Sequence, residues 1–440
     1  MIDIELAGRL FWWASLLLAY TWIGYPLVAL MLERIFYRPV RREAQTPPLT
    51  VLMVVHNEEK HLAAKLENLL AQDYPAGLVR IVVASDGSTD RTAEIAHRYA
   101  ARGVVFHAHA VRRGKAAVLN DEVPQCGTEL VMLCDARQRL APDVLSRLAA
   151  VFADPAVGAA SGELVLEEAV GTGVGRGMGV YWRYEKFLRQ KESAIHSSVG
   201  ATGALLALRR HLWRGLPPNT ILDDMVFPFQ VVAQGYRVVL ESDALVYDRP
   251  NETWEREFVR KTRTLAGNFQ VLFHPFRFSA PLFGVLAVQY WSHKVLRLFG
   301  PLLLVVAFWG NYWLARAHPD ATWRFLYETL LAGQGLFYLS CVMGFCAEHL
   351  QWRLPLVHVP YSFLVTQVAI VCGFLRFGSG RDSGIWEKSE TADGAVRMQN
   401  RLFRLLLDST LYCFGILVAF RIVSPPQHIF RLFSDLNPQL

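Results

Sequence analysis

The stretch Val82-Val83-Ala84-Ser85-Asp86-Gly87-Ser88-Thr89-Asp90 decides how the middle of this chain folds. An apolar strand ends in an acid, a glycine allows a tight turn, and Ser88, Thr89 and Asp90 are residue types that cap a helix. In an open α/β sheet that strand edge is where ligands bind. A carboxylate at Asp86 can accept hydrogen bonds from a base or a ribose, and Gly87 lets the backbone come close. A plain strand-turn-helix with its cap would use the same residues, so this stretch alone leaves both uses open.

Working outward, short apolar runs alternate with amphipathic segments from about residue 45 to residue 275. The spacing predicts strands over Leu49–Val55, Val79–Ser85, Val104–Ala110, Leu130–Cys134, Gly158–Leu166 and Tyr236–Val246. Helices are expected over Glu58–Ala71, Asp90–Arg102, Lys115–Val123 and Pro142–Phe152. This alternation argues for one α/β domain with a mostly parallel sheet.

On both sides the composition changes. From Leu10 to Leu32 no residue is charged, about 23 residues and enough for a helix to cross a ~30 Å hydrocarbon core. Arg34, Arg38, Arg41 and Arg42 follow, a basic flank that places the N-terminus outside and residues 45 onward in the cytoplasm. After Pro275 three further uncharged runs lie between Arg297 and Arg316, Glu328 and Glu348, and Arg353 and Arg376, and are expected to span. Phe278–His293 and Ser409–Phe420 are weaker and suit either a crossing or the interface. Three spans after a cytoplasmic domain put the charged loop Arg376–Arg401 outside, and one more crossing reverses that. The expected domains are thus 1–44, a transmembrane helix with its flank, 45–275, the α/β domain, and 276–440, interfacial and transmembrane helices.

The whole chain has 440 residues, a net charge of +6, 52% hydrophobic and 19% charged residues. These values exclude disorder, collagen and a small disulfide scaffold. The basic excess gathers beside apolar stretches without aromatic interleaving, which fits a membrane surface and not nucleic acid. The six cysteines, Cys126, Cys134, Cys341, Cys346, Cys372 and Cys413, form no CxxC pair and read as small buried hydrophobes.

Further charged residues stand at the ends of apolar runs. Asp135 follows Leu130–Cys134, where a carboxylate can hold a divalent cation against a diphosphate. Asp223 and Asp224 form an acidic doublet whose members push each other's pKa upward, which suits a general base. Lys115 can reach a nucleotide, and Arg260, Lys261 and Arg263 fall within one helical turn where they can clamp a departing diphosphate or lie on a membrane surface. Trp182, in Tyr181-Trp182-Arg183-Tyr184, can stack on a sugar ring, lie at the bilayer interface or pack a helix.

Taken in order, these elements resemble the membrane-integrated family 2 glycosyltransferases, the GT-A group that includes hyaluronan, chitin and cellulose synthases and ceramide glucosyltransferase. His56-Asn57-Glu58-Glu59 matches the first strand-loop, Asp86-Gly87-Ser88-Thr89-Asp90 the nucleotide loop, and Gly114-Lys115 the basic turn. Gly200-Ala201-Thr202-Gly203-Ala204 resembles the acceptor-side segment, and Asp223-Asp224 the acid doublet. The resemblance implies a GT-A domain set between transmembrane helices of a multi-pass bacterial-type inner or plasma membrane protein. It implies donor binding by Asn57, Glu58, Asp86, Lys115, Asp135, Arg137, Arg260 and Arg263, catalysis by Asp224 with Asp223, and acceptor contacts at Gly203, Trp182 and Trp386.

The implied reaction is an inverting transfer from a UDP-sugar to a glycan, in exopolysaccharide synthesis, with Mg2+ or Mn2+ held at Asp135. Transfer of one sugar to a lipid is the alternative, and a transporter or a non-catalytic scaffold is the alternative of another class. Two departures stand out: the Asp-x-Asp metal motif reads Asp135-Ala136-Arg137, and Gln-x-x-Arg-Trp reads Arg260-Lys261-Thr262-Arg263-Thr264. Trp386, in Gly384–Ser389, resembles a mobile loop at the active-site mouth, which would be cytoplasmic and would require an extra crossing or a re-entrant segment. If a polymer crosses the membrane here, a homo-oligomer or an export partner would complete its path.

Overall fold

The computed structural model describes residues 3–167, 173–248, 254–350, 352 and 354–380. Trp386, Cys413 and the segment Ser409–Phe420 lie outside these residues.

Eight strands form one sheet: β1 (Leu49–Val55), β2 (Val79–Asp86), β3 (Val104–His109), β4 (Leu130–Cys134), β5 (Arg139–Leu140), β6 (Val157–Leu166), β7 (Leu205–Arg209) and β8 (Arg237–Asp248). Their order is β3-β2-β1-β4-β7-β6-β8-β5. The first four run parallel. β7 enters antiparallel between β4 and β6, β6 and β8 are parallel, and β5 closes the edge antiparallel. The sheet is therefore mostly parallel, as the strand-helix alternation suggests, with β5 and β7 running against the other six strands. β7 follows β6 by way of the helix Gly173–Ile195, and its antiparallel pairings place it between β4 and β6.

Both faces of the sheet are covered, so its central strands read as continuous apolar runs. Val51 and Met53 of β1 face one core with Leu62, Leu66, Leu145 and Leu148, while Leu52 faces the other with Leu119, Phe227 and Phe229. The covering helices are α3 (Leu62–Leu70), α4 (Thr92–Arg98), α5 (Lys115–Gln125), α6 (Val144–Val151) and, after the long α7 (Gly173–Ile195), α8 (Asp223–Ala233). Because the chain steps from β1 outward to β3 and returns to place β4 on the other side of β1, the order reverses at β1. The crevice beyond the C-terminal ends of β1, β2 and β4 is the topological switch point of this sheet.

Preceding the sheet, α1 (Ile4–Ala19), a π-helical turn Tyr20–Gly24 and α2 (Tyr25–Phe36) form one apolar rod. After it come α9 (Trp254–Phe273), α10 (Gly284–Tyr290), a second π-helical turn Trp291–Val295, α11 (Leu296–Leu298), α12 (Gly300–Ala317), α13 (Ala321–His349) and α14 (His358–Gly378). Among the described residues, three helices are long and apolar enough to cross a membrane: Ile4–Phe36, Ala321–Ala347 and His358–Gly378. The run between Arg297 and Arg316 differs from the expected straight span. It meets the same measure only jointly with Gly284–Leu298, and that pair is bent by 62°, as in a broken span or a re-entrant loop. Large side chains on these rods face outward, among them Trp13, Leu16, Ile23, Leu27, Met31, Leu302, Phe325 and Leu336. Such contiguous apolar exposure suits contact with lipid or with another protein. Of the described cysteines, Cys126, Cys134, Cys341 and Cys372 are buried and Cys346 is half-buried.

Candidate active site

The loops at the switch point are built largely from side chains that bind backbone. Asp86, buried at the end of β2, accepts from the backbone N–H of Arg113 at 2.7 Å and of Gly114 at 2.8 Å. Gly114 has φ 91° and ψ 154°, a conformation nearly closed to other residues, and it starts α5. Asp86 thus orders the turn from which Lys115 projects. Asn57, at φ 53°, accepts from the N–H of Thr89 at 2.7 Å, and its own N–H donates to Ser88 Oγ at 3.0 Å. The N–H of Glu58 donates to Thr92 Oγ1 at 2.8 Å. Asn57 and Glu58 therefore join the loop after β1 to the loop after β2.

Lys115 stands at the centre. Its Nζ lies 3.1 Å from Asp135 Oδ1 and 3.1 Å from Asp223 Oδ2. Burial works against its charge, but Asp135 and Asp223 outweigh burial and raise its pKa. Asp223 and Asp224 open α8, where acids favour the positive end of the helix dipole. The doublet divides its work: Asp223 pairs with Lys115, while the Asp224 carboxyl is pushed up to about 6, first by burial and then by Asp223. A methyl group at Gly203 would approach Asp224 Oδ2 to 3.0 Å, so the Gly200–Ala204 segment lies directly against this acid. The Asp224 carbonyl accepts from the Ala201 N–H at 2.7 Å.

The arginines of α9 sort by helical geometry. Gly267 packs so closely on the turn before α8 that a Cβ there would meet Leu222 Cγ at 2.6 Å, and Gln270 Oε1 accepts from the Ile221 N–H at 3.2 Å. Arg260 and Arg263, seven and four residues before Gly267, lie on the same face. Arg260 is paired with Glu257 at 2.8 Å. Lys261 departs from the expected three-cation clamp: one residue from Arg260 is a rotation of about 100°, and its Nζ sits 3.0 Å from Thr366 Oγ1 and over the Tyr181 ring. Arg137 pairs with buried Asp248 at 2.7 Å, which ties the loop after β4 to the end of β8. Trp182 is half-buried on α7, about 100° from the face carrying Tyr181, Glu185 and Arg189.

Sequence reasoning passed over Arg189. Its Nη2 donates to Thr202 Oγ1 at 3.1 Å and to the Gly200 carbonyl at 3.4 Å, beneath the same segment that touches Asp224. The signal available was the spacing of Tyr181, Glu185, Arg189 and Glu192 along one face of α7. Among the described residues no group of three or more His, Cys, Asp or Glu side chains is arranged to hold a metal ion. A single carboxylate, Asp135, suits a hard cation that takes its remaining ligands from phosphate oxygens and water.

The family profile described as glycosyl transferase family 2 matches residues 50–216. An N-acetylglucosaminyltransferase of Rhizobium leguminosarum bv. trifolii is 31% identical over 130 residues, 28% of this chain and 70% of the relative. The chain is a family 2 glycosyltransferase. This transferase is also similar to a beta-monoglucosyldiacylglycerol synthase of Nostoc sp., 26% identical over 208 residues, 45% of this chain and 44% of the relative. The glycosyltransferase chain spans about half the length of the longer curated relatives that it matches. Its fold is shared with a mannosyltransferase from Pyrobaculum calidifontis solved in complex with GDP-Man and Mn2+. The TM-score is 0.61 and the identity 22%, and the match covers 84% of this chain and 99% of the other. The α/β domain is accordingly a GT-A fold with flanking apolar helices.

Proposed function

We propose that this glycosyltransferase moves a sugar with inversion from a UDP-sugar to a hydroxyl of a glycan at the cytoplasmic face of a membrane, in exopolysaccharide synthesis, with Asp224 as base. The observation that supports this most is the placing of Asp224, half-buried, raised in pKa and against Gly203, beside the Asp223 that pairs with Lys115. In the reaction Asp224 takes the proton of the acceptor hydroxyl, and the oxygen attacks the anomeric carbon from the face opposite the diphosphate. The bond from that carbon to the phosphate oxygen breaks, and its electron pair leaves with UDP. Lys115, Arg260 and Arg263 offset the growing negative charge, while Asp86, through the lone pairs that the 113–114 turn leaves unused, accepts from base or ribose. A divalent cation, held by Asp135 together with the diphosphate, would supply further charge neutralisation.

A lipid acceptor is the second reading, favoured by the packing of α9 directly on the apolar α14, through Phe258, Val368, Ala369 and Cys372. The domain boundaries proposed above, 1–44, 45–275 and 276–440, assign these contacts to the junction of catalytic and membrane parts.

Purified protein in detergent, given a panel of UDP-sugars and GDP-mannose with and without Mg2+ or Mn2+, is expected to release nucleoside diphosphate from one UDP-sugar. Chromatography of products made with glycan primers or with diacylglycerol then separates the two acceptors. Failure to release diphosphate with any donor, in the presence of both acceptor classes, would sink the proposal. Gly267→Ala is expected to push α9 off Ile221 and Leu222 and carry Arg263 with it. A shift of this kind lowers kcat/KM on the order of a hundredfold, while circular dichroism stays unchanged.

A further inference from the structure

We propose that Arg189 is the positioning residue for the catalytic base: it grips the 200–202 segment from α7 and presents its charge toward Asp224, holding that carboxylate in place and ionised. The inference rests on the reading of Asp224 as base.

The geometry is a short relay. Arg189 Nη2 donates to Thr202 Oγ1 at 3.1 Å, to the Gly200 carbonyl at 3.4 Å and to Ser161 Oγ at 3.5 Å. Ser161 Oγ accepts from the Thr202 N–H at 2.6 Å, and Ser198 Oγ donates to the Gly200 carbonyl at 2.6 Å, so the segment is fixed from three sides. From that segment the Ala201 N–H reaches the Asp224 carbonyl, and Gly203 abuts Asp224 Oδ2. A guanidinium is unusual at such a place. Its partners here are neutral oxygens, which a hydroxyl or an amide could hold as well, so the positive charge needs a separate reason.

Asp224 provides one. The charged groups that face it are Asp223 on its own helix, Asp135 just after β4, Lys115 from α5 and Arg189 from α7, with Arg260 and Arg263 on the α9 face that packs on the turn before α8. Lys115 is already shared between Asp135 and Asp223. Lys115 nonetheless opposes the burial and the neighbouring carboxylate that favour the protonated Asp224, and Arg189 adds its charge to the same effect from the α7 side. Burial in turn lowers the pKa of Arg189 itself, with Glu185, Asp224 and Glu192 acting against this.

The test compares Arg189→Gln, Arg189→Lys and Thr202→Val with the parent in detergent, by transfer kinetics against pH and by infrared titration of the Asp224 carboxyl band, assigned through its loss in Asp224→Asn. Arg189→Gln is expected to lower kcat at least tenfold, to leave the donor KM within about twofold, and to move the acidic limb and the carboxyl band upward by about one pH unit. Arg189→Lys is expected to restore most of that shift, and Thr202→Val to lower kcat without moving the limb as far. An unmoved carboxyl band in Arg189→Gln, or a lysine variant no better than glutamine, would overturn the inference. Should Arg189→Gln not fold, the lysine and valine variants decide in the same way. A band that shifts in a protein without transfer activity would support the role of Arg189 and count against the transfer reading alone.

Discussion

Asp224→Asn is expected to stop sugar transfer while leaving a folded protein with undiminished donor binding. The amide keeps the shape of the side chain but cannot take the acceptor proton, and loss of a positioned general base lowers kcat by about a hundred- to ten-thousand-fold. The parent should show a matching pH dependence. With the carboxyl pushed up to about 6 by burial and by Asp223, the base is protonated below that pH, so kcat falls toward acid with a limb near pH 6. Stability runs the other way. The folded-state pKa lies above the ordinary value of 3.8, so between these two values the unfolded chain gives up a proton that the folded chain keeps. This group's contribution to stability is therefore present at acid pH and is lost as pH rises through about 6. Asp224→Asn removes the loss, and its thermal midpoint at pH 7.5 should equal or exceed that of the parent. An inactive variant of unimpaired stability separates a catalytic role from a structural one, and a variant retaining a tenth of parental kcat would show that another group is the base.

What the sequence discloses follows from what a side chain's neighbours in the chain can determine. β1 and β4 are buried on both faces and read directly as Leu49–Val55 and Leu130–Cys134. Asp86, Lys115, Asp135 and Asp224 follow because each stands at the end of a strand or the start of a helix, the positions that meet at a switch point. β7 escapes because Leu205–Leu208 is a short apolar run after a glycine-rich turn, and its place between β4 and β6 depends on pairings with residues about 50 to 80 positions away. The role of Arg137 is hidden for a similar reason: Asp248, which holds it, is 111 residues distant. Lys261 stands with Arg260 and Arg263 in the sequence, but a helix sorts side chains by angle and turns it toward Thr366 and Tyr181. Arg189 had a legible position on a helical stripe, but nothing local indicates that Thr202 and Asp224 lie above it.

Glu185→Ala is expected to cost the molecule more stability than loss of a comparable charge on the surface. α7 meets the membrane-side helices at a buried cluster in which Glu185 Oε2 lies 3.0 Å from His293 Nε2 and 3.1 Å from Lys294 Nζ, and Oε1 pairs with Arg297. Two turns on, Glu192 Oε1 accepts from Tyr25 OH at 2.7 Å and faces His293 Nδ1 at 2.8 Å. Both π-helical turns meet here, joined by Tyr20 OH and Ser292 Oγ at 2.8 Å, and such turns let a helix swing a side chain out of regular register. Removing Glu185 leaves Lys294 and Arg297 in a buried site with one carboxylate fewer, and breaking a buried ion pair from one side costs about 3–5 kcal/mol. Thermal unfolding in detergent, followed by tryptophan fluorescence, should fall by several degrees for Glu185→Ala and stay unchanged for Glu67→Gln, whose partner Arg102 is solvent-exposed. Because Arg189 lies one turn along the same helix, the variant should also lose activity at temperatures where it remains folded. Full activity in a destabilised Glu185→Ala protein would show instead that the junction holds the two parts together without aligning the base.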